Sequence, residues 1–123
     1  MTNYTVDIVT FRRQLIAGMS EKELLENVRA QAAAHHWLSY HTHRSDRSEP
    51  GFPDLVLVRP PHILWVELKR TTGRITPEQG RWGQALSACG GAYFIWLPEN
   101  WVDGTIERIL RDGPDPEPSM THA

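Results

Sequence analysis

Residues 51–69 read GFPDLVLVRPPHILWVELK, with two apolar runs, 55–58 and 63–68, joined by Arg59-Pro60-Pro61-His62. Short runs rich in Val, Ile, Leu and Trp, broken by prolines, have the pattern of two hairpin strands. With the turn centred between Pro60 and Pro61, antiparallel partners sum to 121 in residue number, which sets Asp54 opposite Glu67. Directly opposed residues have Cβ atoms roughly 4.5–5.5 Å apart, close enough for both carboxylates to grip one divalent cation. Side chains alternate along a strand, so Lys69 shares the face of Glu67. A loop of odd length shifts the pairing by one and sends Asp54 to the other face. The plain alternative is a hairpin with charged ends, and Glu-x-Lys alone is a common tripeptide. Its meaning here comes from Pro-Asp before the first run and Glu inside the second.

Upstream, Ser20-Glu21-Lys22-Glu23 matches a capping box and opens a helix. Its apolar stripe is Leu24, Leu25, Val28 and Ala32. Glu21 lies on the middle of that stripe, whereas Glu23 and Glu26 point away from it. A carboxylate aimed at the core needs a partner, although an acid in the first helical turn also suits the helix dipole. Positions 36–41 (HWLSYH) form the expected first strand, followed by a polar loop over 42–50. His35, His36, His41 and His43 lack the compact Cys/His spacing of a zinc site. His41 and Arg47 are instead candidates for a phosphate contact, or part of a solvated loop.

Downstream, Thr76-Pro77-Glu78-Gln79 starts another helix, with Thr as N-cap, Pro at N1 and Gln as the capping-box partner. Its stripe of Trp82, Ala85, Leu86 and Cys89 reads as core, which makes Cys89 an inert buried thiol. Positions 92–97 (AYFIWL) read as a strand buried on both faces, 102–110 as a final helix, and 113–123 as a Pro-rich disordered tail. Residues 1–19 divide into a strand-like stretch over 4–10 and a short helix over 11–17. They equally suit a flexible extension or a dimer-forming arm.

The chain of 123 residues is the size of one small domain, here placed over 20–112. No apolar run approaches the length of a membrane span, and the N-terminus has no signal-peptide form. One cysteine excludes an internal disulfide and fits a reducing, cytoplasmic compartment. The net charge of −2 provides no global attraction for nucleic acid. Between positions 44 and 81, however, seven basic residues face five acidic ones. Arg44, Arg47, Arg70, Arg74 and Arg81 are the candidate phosphate contacts of a local basic patch, with Arg59 and Lys69 completing the basic set.

Gly51-Phe52-Pro53-Asp54, Glu67-Leu68-Lys69 and Gln79 ahead of Trp82 resemble the PD-(D/E)xK nuclease superfamily. More narrowly they are similar to the stand-alone VRR-NUC domains often found in phages and bacteria, over about residues 20–110. The resemblance implies a restriction-endonuclease-like α/β sandwich, a central mixed sheet flanked by helices. It implies a DNA endonuclease dependent on Mg²⁺ or Mn²⁺, with Asp54, Glu67 and the backbone carbonyl of Leu68 as metal ligands. Glu21 completes that site, Lys69 orients the attacking water, and Gln79 lies near it, a role open beside that of helix cap. Leu25 stands where the family commonly has Gln. Branched DNA, such as a Holliday junction or a flap, and a homodimer are the implied partners. The rival reading is a non-catalytic nucleic-acid-binding or regulatory module. A degenerate module is expected to lose an acid or the lysine, and all four are present.

Overall fold

The computed structural model describes residues 7–43 and 49–116. In chain order the elements are α1 (Ile8–Gly18), α2 (Glu21–Ala34), β1 (Leu38–His41), β2 (Leu55–Arg59), β3 (His62–Leu68), α3 (Pro77–Ala88), β4 (Ala92–Trp96), α4 (Pro98–Val102) and α5 (Thr105–Asp112). The four strands form one mixed sheet in the order β1-β2-β3-β4, with β4 parallel to β3 and the other pairs antiparallel. Helices flank it, which is the expected α/β sandwich.

The hairpin register is the one read from the two prolines. Arg59 pairs with His62 and Leu55 with Val66. Alternation therefore divides the sheet into two faces. Leu55, Leu57, Leu64, Val66 and Leu68 point inward with Trp96, where they meet Leu24, Val28 and Ala32 of α2 and Ile106, Ile109 and Leu110 of α5. The α2 stripe is thus the core stripe. The outer face carries Val56, Trp65, Tyr93 and Ile95, and α3 covers its β4 side.

Several sequence expectations give way to tertiary context. Positions 8–10 are helical, because both carboxylate oxygens of Asp7 act at the start of α1: one accepts from the Val9 N–H at 3.0 Å, the other from the Thr10 hydroxyl at 2.8 Å. Positions 4–6 lie outside the described residues. The first strand begins at Leu38 rather than at 36. His36 takes a left-handed φ of 69° and Trp37 turns inward. The final helix is two helices, separated by Gly104 at φ 87°. β4 is an edge strand, and Ile95 is 41% exposed. In α3 only Gly83 is buried, and Cys89 is an exposed C-cap rather than a core thiol. Gly113 is buried and would meet the His62 ring with any Cβ; positions 117–123 lie outside the described residues.

Arg59 is no part of a basic patch at the site. Its guanidinium donates to the carbonyls of His35, Leu110 and Arg111 at 2.9–3.2 Å and lies 4.7 Å from the centroid of the Trp37 ring. Those carbonyls close α2 and α5, whose last C=O groups have no partner inside the helix. Replacing Arg59 with methionine removes these charge-assisted hydrogen bonds, leaving the Leu110 carbonyl with the Trp37 Nε1 donor alone, and lowers stability by about 1–3 kcal/mol. Urea unfolding of the variant checks this, and a midpoint equal to wild type refutes the clamp.

Candidate active site

The end of the sheet at which β3 finishes gathers the chemistry. The Thr42 N–H donates to the Asp54 carbonyl and its hydroxyl to the Pro53 carbonyl, each at 2.8 Å. This fixes the backbone just ahead of β2. One oxygen of Asp54 then accepts from the Leu68 N–H at 2.8 Å. The continued register sets Asp54 across from Glu67, and the two carboxylates interact directly.

Glu67 is the only polar or charged residue among the buried side chains described, at 2% exposure. Its Oε2 accepts from Gln79 Nε2 at 2.9 Å and lies 3.8 Å from Lys69 Nζ. Its Oε1 is buried and has no hydrogen-bond partner. Burial pushes the Glu67 carboxyl up to about 9, and the charge of Asp54 adds to this while Lys69 opposes it. A buried carboxylate with an unused oxygen beside a second carboxylate is costly unless a proton or a cation completes it.

Gln79 caps α3 and also reaches Glu67. Its Oε1 accepts from the Thr76 N–H at 2.9 Å, which closes the capping box of α3. Its Nε2 holds Glu67. The two ends of one amide thus tie the helix start to the buried acid. Gly51 sets that helix close by: a Cβ on it would lie 2.4 Å from the Glu78 carbonyl carbon, and its φ is +89°.

Glu21, Lys22, Leu25, His41, Asp54 and Leu68 line one cavity of about 130 Å³. Glu21 thus faces Asp54 across this space from the first turn of α2. Glu23 is absorbed in the capping box with Ser20. Glu21 and Glu26 are both exposed, so Glu21 is not turned into the core as its place on the stripe implied, but of the two only Glu21 lines the cavity. Lys22, one of the two lysines of the chain, was not singled out in the sequence; only its place beside Glu21 hints at the cavity. Among the described residues no three His, Cys, Asp or Glu side chains converge closely enough to hold a metal ion by themselves. The convergent pair is Asp54 and Glu67, and further ligands have to come from backbone or water. Oxygen donors of this kind fit a hard cation such as Mg²⁺ or Mn²⁺.

The basic residues are more scattered. Arg70 and Arg74 are exposed on the loop after β3, and Arg81 lines a separate cavity of about 350 Å³ with Glu49, Pro50, Glu78 and Trp82. Arg44 and Arg47 lie outside the described residues.

The VRR-NUC domain family model matches residues 8–96 of the chain. A solved structure titled "VRR_NUC domain" is similar in fold, with a TM-score of 0.60 and 24% sequence identity, covering 72% of this chain and 97% of that one. No curated protein matches the sequence.

Proposed function

The chain belongs to the VRR-NUC domain family, a family of nuclease fold, and from this premise we propose that it is a divalent-metal-dependent endonuclease acting on branched DNA. The observation that carries the reading is the partnerless Oε1 of Glu67, buried against Asp54. Asp54, Glu67 and the carbonyl of Leu68 would hold Mg²⁺ or Mn²⁺, with Glu21 in support across the cavity. Bound there, the ion supplies an activated water and offsets charge on the phosphate. Gln79 keeps Glu67 aimed at the site through its 2.9 Å hydrogen bond. Lys69, with a side chain 12% exposed, adds a positive charge beside the scissile phosphate and orients the attacking water.

Affinity comes from phosphate contacts of Arg70, Arg74, Arg81 and His41, with Arg44 and Arg47 added from the sequence. One domain this small leaves no space for a separate sequence-reading module. A homodimer places two sites on one junction, and isologous pairing is the common solution. The uncovered part of the outer sheet face supports it: Leu38 is 74% exposed and Tyr40 59%, with Ile63 beside them. Monomers rarely leave such a patch in water.

The deciding experiment is cleavage of labelled linear, splayed, flap and four-way DNAs with Mg²⁺ or Mn²⁺, with and without chelator. Cuts confined to branched DNA and abolished by chelator are expected. Loss of all cleavage in every arm returns the chain to the binding-module reading.

The cavity separates the acids of α2. Glu21→Gln lowers cleavage by about 10- to 100-fold, the effect of removing a supporting group at a metal site. Glu26→Gln stays within about twofold of wild type, as exposed substitutions do. A larger loss at Glu26 contradicts the assignment.

A further inference from the structure

Beside the paired carboxylates, the outer face holds a groove that the catalytic reading leaves unused. Ile75, Gly80, Gly83, Gln84, Ser87, Tyr93 and Ile95 line it, enclosing about 430 Å³. We propose that this groove receives one unpaired nucleobase from a nucleotide flanking the scissile phosphate, and so distinguishes branched from intact DNA. The inference rests on the nuclease reading and names how that site selects its substrate.

Position makes the first argument. Ile95 pairs with Glu67 across the parallel β3–β4 ladder, and adjacent strands lie about 4.8 Å apart. Ile75 immediately precedes the cap of α3, whose Gln79 holds Glu67. The groove therefore begins where the carboxylates end. Tyr93 pairs with Trp65 across the same ladder, two positions before Ile95, and so shares the sheet face of Ile95 and Glu67.

Shape makes the second. The groove wall on α3 has two glycines one turn apart. A Cβ on Gly83 would strike the Tyr93 ring at 2.6 Å, so the ring lies against bare helix backbone. A Cβ on Gly80 would meet only Ile75, at 3.9 Å, which leaves that end open. Glycine weakens a helix interior, and here it makes space instead.

Chemistry makes the third. Among the described residues no charged side chain lines the groove. Ile75 and Ile95 offer apolar surface that is 36% and 41% exposed, and Gln84 and Ser87 add polar groups. Lys69, directly after β3, and Arg74 next to Ile75 provide the positive charge for the attached phosphate. A base has an apolar face and a hydrogen-bonding edge on an anionic backbone, which is the complement of this arrangement. In a duplex that base is stacked and paired, and must be extracted first. At a fork, flap or junction it is already free.

The test uses the full chain loaded with Ca²⁺ and compares two flap DNAs. One carries thymines in the unpaired arm next to the junction; the other carries abasic nucleotides there. Wild type should bind the thymine flap about tenfold more tightly, the scale of one base stacked on a protein surface. Ser87→Tyr, which fills the groove from an exposed helix position, and Ile95→Ser, which removes its apolar wall, should each shrink that ratio to about twofold or less. Circular dichroism and melting verify that both variants fold. Equal binding of the two flaps by wild type overturns the inference, as does an unchanged tenfold ratio in both variants. So does conversion of a dimer to monomer by Ile95→Ser in sedimentation, which assigns the groove to a second copy. Cleavage of junctions without base discrimination removes this inference alone, whereas failure to bind or cut any DNA removes the nuclease reading with it.

Discussion

Glutamine in place of Glu67 reduces cleavage by on the order of 10³-fold or more, since losing several kcal/mol of charge stabilisation costs tenfold per 1.36 kcal/mol. The same substitution leaves the metal-free protein as stable as wild type near neutral pH, or more so. Folded Glu67 holds its proton up to about pH 9, against an ordinary 4.5, so glutamine imitates the state already present. The pH dependence follows with a definite sign. Between those values the folded chain binds more protons at this position than the unfolded chain does. Stability from this group is therefore fully present below about pH 4.5 and is lost as pH rises through about 9. Urea midpoints in chelator should fall over that interval for wild type and fall less for Glu67→Gln. Added Mg²⁺ should stabilise wild type increasingly as pH rises, because the ion takes the place of the proton. A Glu67→Gln variant with substantial cleavage, or a wild-type midpoint rising across the interval, defeats the assignment.

The hairpin was legible because its constraints are local. A connection centred on Pro60-Pro61 fixes which residues oppose, and strand alternation then carries Asp54 and Glu67 to one face. The phase of α2 was legible for a similar reason, since Leu24, Val28 and Ala32 are its buried stripe, although Glu21, read onto that stripe, is exposed and lines the cavity. Arg59, Cys89 and Ile95 were misplaced because their environments depend on elements distant in sequence. Arg59 finds carbonyls closing two helices, and its charge says nothing of them. Cys89 and Ile95 depend on how far α3 extends over the sheet, and two apolar residues at correct spacing read as buried whether or not a partner layer reaches them. Gln79 was underdetermined for a different reason: an amide has a donor and an acceptor end, so the capping pattern accounted for half of it.

Gly51→Ala is the second large effect, and it acts on the site without touching a carboxylate. The added methyl meets backbone at three points, the Glu78 carbonyl carbon at 2.4 Å, its oxygen at 2.6 Å and the Gln79 nitrogen at 2.7 Å. None can rotate away, so the start of α3 has to move. Gln79 moves with it, and its hold on Glu67 loosens. A residue with a side chain is also strained at a φ of +89°, which costs about 1–3 kcal/mol before any clash. Stability should fall by about 2–4 kcal/mol, and cleavage by about 10²-fold, the cost of a displacement near 1 Å at a reacting centre. Two other glycines separate these causes. Gly90 has a φ of +78° and open space around it, and Gly18 has open space alone. Gly90→Ala should lose stability while keeping its cleavage rate, and Gly18→Ala should change neither by much. If Gly90→Ala loses cleavage as severely as Gly51→Ala does, strain rather than the seat of α3 explains the loss, and Gly51 has no positioning role.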